Sequence, residues 1–206
     1  MFPLGTALLP GEPLPLRIFE PRYRQMLADT LAGPTPAGFG VVLIQRGHEV
    51  GGGETRTDIG TFAEIGPHST AADGSSLLSV TGTHRFAVSQ WLPDDPYPRA
   101  HIRALPEPAD DPQATESLVR TGERIQALIE VAATRRQAAD ASTPRPALPG
   151  FDTDDLAAVG VFGWAVRLPI GPADRQALLA ADTAAQRAAA FADAIDTLEA
   201  RVHFGS

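Results

Sequence analysis

The sequence predicts an α+β protein in which a small β-barrel or β-sandwich domain is followed by an α-helical domain. Two observations support this prediction. The first half of the 206 residues contains six short runs rich in β-branched and aromatic residues, separated by clusters of glycine, proline, aspartate and serine. The second half repeats apolar residues at helical spacing, behind residues that can cap helices. The boundary is expected in the segment PEPADDP, with domains over residues 1–106 and 113–206.

The six runs of the first half are expected to be strands because each has a suitable length and composition. They are PLPLRIF, FGVVLIQ, IGTFAEIG, SLLSVTG, RFAVSQWL and RAHIRAL. The first is predicted to run from Leu14 to Phe19 and to lead into a short helix that begins at Pro21. The glycine-rich GHEVGGGETR precedes a strand pattern rather than a helical one. We therefore expect a hairpin tip there and not a phosphate-binding turn.

Four helix starts are predicted in the second half from residues that suit helix N-termini. They are Asp111 with Pro112, Asp152, Pro172, and the capping-box pair Thr183 and Gln186. Apolar residues recur on one face of the first and the last of these helices, namely Leu118, Ile125, Leu128, Ile129 and Ala132, and then Phe191, Ile195, Leu198 and Val202. The proline-bearing ASTPRPALPG is expected to belong to a mobile loop over about residues 136–150.

The composition argues against several classes of function. A formal net charge of -8 disfavours a nucleic-acid partner, because such proteins carry an excess of basic residues on one face. All 17 basic residues are arginine, so no lysine is present for a phosphate-binding loop or for Schiff-base or Ser-Lys catalysis. The absence of cysteine removes thiol nucleophiles, thiolate metal sites and redox pairs. We expect no cofactor.

The remaining residues with catalytic chemistry are not arranged as recognisable sites. The five histidines lack the spacing of paired ligands on a helix, so no metal site is expected. No G-x-S-x-G elbow is present, and the acidic pairs Asp110–Asp111 and Asp154–Asp155 are explained by helix capping and solvation. The sequence thus predicts that the protein is not an enzyme, with an unrecognised hydrolase as the open alternative. The first residues lack a basic leader and no run is long enough to span a membrane, so we expect a cytoplasmic protein.

The segment RIFEPRY, residues 17–23, mixes aromatic, charged and proline residues. Its strand-to-helix reading explains the mixture, because Glu20 falls where a helix N-terminus favours negative charge and Tyr23 falls on the inward helical face. One interpretation is that Phe19 and Tyr23 are core residues and that Arg22 is a surface or strut residue. The other interpretation is that the segment lines a binding groove.

The stretch FPLGTALLPGEPLPLRIFEPRYRQML resembles the beginning of the N-terminal domain of the Lon protease. The resemblance continues in order through FGVVLI, DIGTFAEI, VTGTHRF and PYPRAHI, and includes that domain's G-x-x-R-F signature at Gly82, Arg85 and Phe86. In the second half, RLPIGPADRQALLAADTAAQR resembles the helical part of the same domain. The resemblance covers nearly the whole chain and implies a PUA-like β-domain followed by helices.

The resemblance implies a receptor rather than an enzyme. Full Lon places an ATPase and a Ser-Lys peptidase after this domain, and the present residues contain neither, so the chain resembles standalone bacterial proteins made only of this domain. Cereblon, a eukaryotic substrate receptor, contains a related β-domain. This relation implies only a receptor role in general. The implied function is a non-catalytic module that binds exposed apolar or unfolded protein segments, in connection with a protease or chaperone. The alternative is a scaffold whose helical half docks one fixed protein partner.

A receptor for unfolded segments needs an exposed apolar groove, which is expected where the two domains meet. The candidate peptide-binding residues are Glu20, Arg22, Tyr23, Phe62, Trp91, Leu118 and Ile125. Among them, Glu20 and Arg22 are placed at the rim, where charges contribute to selectivity. Gly82, Arg85 and Phe86 are expected to be structural, with Arg85 donating hydrogen bonds to loop carbonyls.

Overall fold

The structure is a computed structural model that describes residues 1–46, 55–139 and 150–204. These residues belong to two compact units, Met1–Glu107 and Pro108–Ser206. The tip of the predicted GHEVGGGETR hairpin, residues 47–54, and residues 140–149 of the predicted mobile loop lie outside the described residues.

The first unit is built on one mixed six-stranded sheet. Its elements are β1 Phe2–Leu4, β2 Pro13–Ile18, α1 Pro21–Leu31, β3 Gly38–Arg46, β4 Thr55–Thr70, β5 Ser76–Leu92 and β6 Arg99–Ala104. The strand order is β1-β3-β4-β5-β2, and β6 pairs with β5 off this path. The pairing of β1 with β3 is parallel, and the other pairings are antiparallel.

The sheet is not closed into a barrel. Within the described residues, β1 pairs only with β3 and β2 pairs only with β5, so these two strands end the strand order without pairing with each other. Side chains from both end strands nevertheless enter the same core, which includes Phe2, Ile18, Tyr23 and Phe39. The curved sheet therefore surrounds one apolar core and keeps two free strand edges.

Strand β5 joins two runs that the sequence predicted as separate strands, SLLSVTG and RFAVSQWL. Gly82 lies inside this strand rather than in a turn. A Cβ atom at this position would come within 2.3 Å of the carbonyl oxygen of Leu9. The glycine is therefore required by a close backbone approach and does not mark a chain reversal. Strand β1 was not predicted, because three residues give too short a pattern to detect.

The second unit consists of helices α2 Pro112–Ala139, α3 Thr153–Val166, α4 Pro172–Ala180 and α5 Ala184–Phe204. Its predicted helix caps are confirmed. The side chain of Asp111 accepts a hydrogen bond from the Gln113 amide at 2.9 Å, and that of Asp152 accepts one from the Asp155 amide at 2.9 Å. Thr183 and Gln186 form the reciprocal pair of a capping box, with distances of 3.1 and 3.2 Å.

The core of the second unit is centred on Trp164, which is fully buried between the rings of Phe151 and Phe191. Gly122 of α2 leaves space for the indole, since a Cβ atom there would lie 2.8 Å from Trp164. The sheet unit and the helical unit together confirm the α+β class. Among the described residues, no helix is both long enough and apolar enough to cross a membrane.

Candidate peptide-binding site

A groove of about 210 Å³ separates the two free edges of the sheet. It is lined by all three residues of β1, by residues 15–18 of β2, and by Phe19, Glu20 and Tyr23. We call it the seam groove. Its lining includes the buried side chains of Phe2, Ile18 and Tyr23, so the groove opens directly onto the core of the first unit.

A second, shallower groove of about 610 Å³ lies along the same strand. It is lined by residues 15–17 of β2, 67–69 of β4 and 77–79 of β5, and we call it the outer groove. Strand β2 therefore has a groove on either side. Large apolar side chains are exposed at both, because Phe19 at the seam groove is 52% exposed and Leu77 at the outer groove is 59% exposed.

The aromatic residues of RIFEPRY have opposite environments. Tyr23 is only 3% exposed, and its ring packs edge-on against Phe2 with centroids 4.6 Å apart. Phe19 is exposed, so the interpretation that both rings belong to the core is correct for Tyr23 and wrong for Phe19. The Arg22 guanidinium lies 4.4 Å from the centre of the Tyr23 ring, and its Nε donates a hydrogen bond to Glu20 at 3.2 Å. Of this ion pair, Glu20 lines the seam groove and Arg22 does not.

Phe62 and Trp91, two other candidate residues of the first unit, line neither groove. The Phe62 ring stacks on His84 with centroids 5.2 Å apart. The Trp91 indole N–H donates to Asp58 at 2.8 Å, and the Arg56 guanidinium lies 5.2 Å from its ring centre. Both aromatic rings thus have defined partners on the surface of the unit.

Arg56 also forms a two-pronged ion pair with Asp94, with nitrogen–oxygen distances of 3.1 and 2.7 Å. These hydrogen bonds lower the pKa of Asp94 from its usual value, against the opposing effect of partial burial. The pair therefore stays ionised at neutral pH and fixes the guanidinium beside Trp91.

The last two candidate residues belong to helix α2 in the second unit. Leu118 is half-buried beside a small pocket, and Ile125 is 1% exposed at the floor of a groove of about 170 Å³. We call this second feature the helical groove. It is lined only by apolar residues of α2, α5 and the turn at Leu168 and Pro169. The expected placement of Leu118 and Ile125 opposite the β-domain residues stays a prediction.

The three residues of the G-x-x-R-F signature lie in the interior of the first unit. The backbone of Gly82 is bonded to the turn before β2, since its amide donates to Glu12 at 2.9 Å and its carbonyl accepts from Gly11 at 2.8 Å. The Arg85 side chain is 1% exposed and donates to the Pro106 carbonyl at 2.9 Å and to Glu107 at 3.4 Å. Phe86 is fully buried. Their expected structural role stays a prediction that stability measurements can test.

Sequence reasoning missed the contribution of β2 and of Leu77 to the site. One available signal was the alternation of Pro13 and Pro15 in PLPLRI, because proline is tolerated within a sheet mainly on edge strands. The alternation of buried and exposed residues along β5 places Leu77 on the outward face with Ser79, and the β2–β5 pairing places it opposite Arg17. Among the described residues, no group of three His, Cys, Asp or Glu side chains is suited to hold a metal ion.

Two solved structures resemble this chain over most of its length. A Lon N-terminal domain protein from Xanthomonas campestris aligns with a TM-score of 0.59 and 25% identity, covering 97% of this chain and 95% of that chain. The N-terminal domain of Lon protease from Mycobacterium avium complex aligns with a TM-score of 0.60 and 18% identity, covering 94% and 96%. At 18% identity, the second match is evidence for the fold alone.

Comparison of the sequence with curated proteins gives no significant match. In contrast, the sequence pattern of one protein family, the ATP-dependent protease La (LON) substrate-binding domain, matches residues 1–196. Because this match extends over nearly all of the 206 residues, and the fold agrees with it, the chain belongs to the Lon substrate-binding domain family.

Proposed function

We propose that this chain is a non-catalytic recognition module that binds exposed apolar or unfolded segments of other proteins through the surface around β2. The observation that supports this most directly is the exposure of Phe19 and Leu77 at the two grooves that flank one edge strand. Exposed apolar surface next to a groove is typical of binding sites for partner chains. Membership of a substrate-binding domain family supports the same function.

We further propose that the module works in the cytoplasm in protein quality control and delivers its ligands to a protease or chaperone. The grooves are small, so binding is expected to be weak, with a Kd of about 1 μM or higher. Apolar burial supplies the affinity, and salt does not screen that contribution. The Glu20–Arg22 pair at the rim then contributes to selectivity rather than to affinity.

The test is a titration of a fluorescently labelled, permanently unfolded protein, such as reduced and carboxymethylated α-lactalbumin, against wild type, Phe19→Ser and Leu77→Ser. Each substitution removes part of an exposed apolar side chain and is expected to weaken binding by about 5- to 30-fold. Wild-type affinity is expected to change little between about 0.05 M and about 0.5 M salt. Tyr23→Ala is a poor probe of the site, because Tyr23 is buried and its loss would mainly destabilise the core.

Leu31→Ser is the matched control, since Leu31 is another exposed leucine of the first unit that lies in neither groove. It is expected to leave binding unchanged. Equal weakening by Leu31→Ser would place the binding surface elsewhere. Loss of wild-type binding at high salt would show that charge, and not apolar burial, drives the association.

The helical groove supports a second candidate function, that of a scaffold docking one fixed partner through the helical half. Its lining is wholly apolar, with Leu128, Ile129 and Val202 among its residues. A scaffold would retain a single protein stoichiometrically from a cell lysate, whereas a receptor would retain many unfolded chains weakly. Leu128→Ser should abolish retention in the first case and leave it unchanged in the second.

A further inference from the structure

We propose that the seam groove binds an extended peptide segment as an additional strand between β1 and β2. This inference rests on the proposed function and specifies how the ligand is held. Its starting point is that β1 pairs only with β3 and β2 only with β5 among the described residues, while the groove between them is lined by both strands. The two strands thus present free edges to the same narrow space, which an extended chain can enter.

Proline residues determine which backbone groups face the seam groove. A proline can occupy the interior of a strand pairing only where its nitrogen faces away from the partner strand, because it has no N–H to donate. Pro15 lies opposite Ser79 of β5, and Pro3 lies opposite Val42 of β3. The nitrogen and the carbonyl of each proline therefore point away from the paired strand and towards the groove. Backbone N–H and carbonyl groups alternate in direction along a strand, so those of Arg17, two residues after Pro15, also point towards the groove.

Among the residues of β1 and β2, the backbone facing the groove therefore offers the carbonyls of Pro3, Pro15 and Arg17 but one N–H, that of Arg17. This imbalance explains why β1 and β2 do not pair with each other, since a ladder between them would lack donors at both prolines. It also favours an occupant with its own N–H groups. An extended peptide provides such donors and can form one reciprocal pair with Arg17.

The floor of the groove specifies the side chains of the occupant. Phe2, Ile18 and Tyr23 lie at the core side and are buried apolar residues, whereas Pro15 and Arg17 on the other face of β2 are exposed. Because side chains of a strand alternate between its faces, the fitting segment carries apolar residues at every second position and polar residues between them. At about 210 Å³ the groove accommodates only a short part of such a segment.

The first test uses a fluorescein-labelled peptide of alternating leucine and threonine, together with the same peptide N-methylated at its interior amides. N-methylation removes the backbone donors and keeps the side chains. The unmodified peptide is expected to bind at least about fivefold more tightly. In addition, hydrogen exchange at the Arg17 amide should slow when the unmodified peptide is present, since that amide is the strand donor expected to bond to the peptide.

A pair of protein variants provides a second test. Arg17→Pro removes the groove-facing N–H at a position where neighbouring prolines are already tolerated, and Arg17→Ala removes the side chain but keeps the N–H. We expect Arg17→Pro to bind the peptide at least about fivefold more weakly than Arg17→Ala, at similar melting temperatures. If Arg17→Pro fails to fold, the amide exchange of the wild-type protein decides the question alone.

The possible contrary outcomes are distinct. Equal binding of the two peptides with unchanged exchange at Arg17 would overturn the strand model and leave the proposed function standing. Failure of both peptides and of the unfolded protein to bind would overturn both proposals. Protection of the Arg17 amide in concentrated protein without peptide, together with dimer formation, would show that a second copy occupies the groove instead.

Discussion

The buried Arg85 side chain connects strand β5 to the segment that follows β6. The Arg85 guanidinium bonds to Pro106 and Glu107, and the Arg85 carbonyl accepts a hydrogen bond from the Leu105 amide at 2.9 Å. Arginine suits this place because its rigid fork of donors reaches several acceptors while its stem packs in the core. Two consecutive residues at the end of the first unit thus bond to the Arg85 side chain, and the residue before them bonds to the Arg85 backbone.

We predict that Arg85→Ala lowers the free energy of unfolding by about 1.5–3 kcal/mol, the usual loss for hydrogen bonds from a charged group. Thermal unfolding followed by circular dichroism measures the change. Arg103→Ala, at an exposed position of β6, is the control and should have little effect. If Arg85→Ala keeps its full stability and instead loses peptide binding, the residue belongs to the binding site.

Two acidic residues near the start of helix α3, Asp152 and Asp155, stabilise the helix at both ends. Asp152 caps the first turn, and the Asp155 carboxylate accepts hydrogen bonds from the Trp164 indole at 2.7 Å and from Arg167 at 2.6 Å. Gly160 interrupts the helix between them with a backbone φ of 66°, a conformation that favours glycine. The Asp155 bonds therefore span a kink and keep the two halves of the helix together.

We predict that Asp155→Ala destabilises the second unit by about 1–3 kcal/mol, because it leaves the N–H of the buried Trp164 without this acceptor. The hydrogen bond from Arg167 is the largest influence that lowers the pKa of Asp155 below its usual 3.8. Because the pKa of Asp155 is lowered in the folded state, the stabilisation that its carboxylate provides is fully present above the unfolded-state pKa. This stabilisation is lost as the pH falls through the folded-state pKa.

Accordingly, the stability difference between wild type and Asp155→Ala should be constant from neutral pH to about pH 5 and should shrink below about pH 4. Urea unfolding at a series of pH values measures it. The neighbouring Asp154→Ala, at an exposed position, is expected to show no such difference. A difference that grows on acidification would show that Asp155 acts through some other interaction.

For the molecule as a whole, local features were predictable from sequence and long-range ones were not. The caps at Asp111, Asp152 and Thr183 depend only on neighbouring residues, so their sequence signals were sufficient. The seam groove depends on which strands fail to pair, and the exposure of Phe19 depends on how the sheet is assembled around the end of β2. Neither property is encoded in a short window of sequence.

The contacts of Arg85 lead to a prediction about fragments of the molecule. We expect a fragment of residues 1–107 to fold on its own, because it contains the sheet, its core and the acceptors at Pro106 and Glu107. A fragment of residues 1–104 contains every strand but lacks those acceptors, and should unfold at a lower temperature. Circular dichroism and one-dimensional NMR compare the two. Equal melting temperatures would show that the segment after β6 contributes nothing to the sheet.

The pairing of the two end strands also affects the order in which the sheet can assemble. Strand β2 is synthesised early, but Pro13 pairs with Thr81 of β5, which lies 81 − 13 = 68 residues later. At the usual speed of translation, β2 waits on the order of 3 to 14 s for its partner. During that interval Ile18, which later enters the core, lacks the strand with which β2 pairs. On the ribosome, a chain of this fold therefore passes through a stage in which its own N-terminal segment is an exposed apolar stretch of unfolded protein.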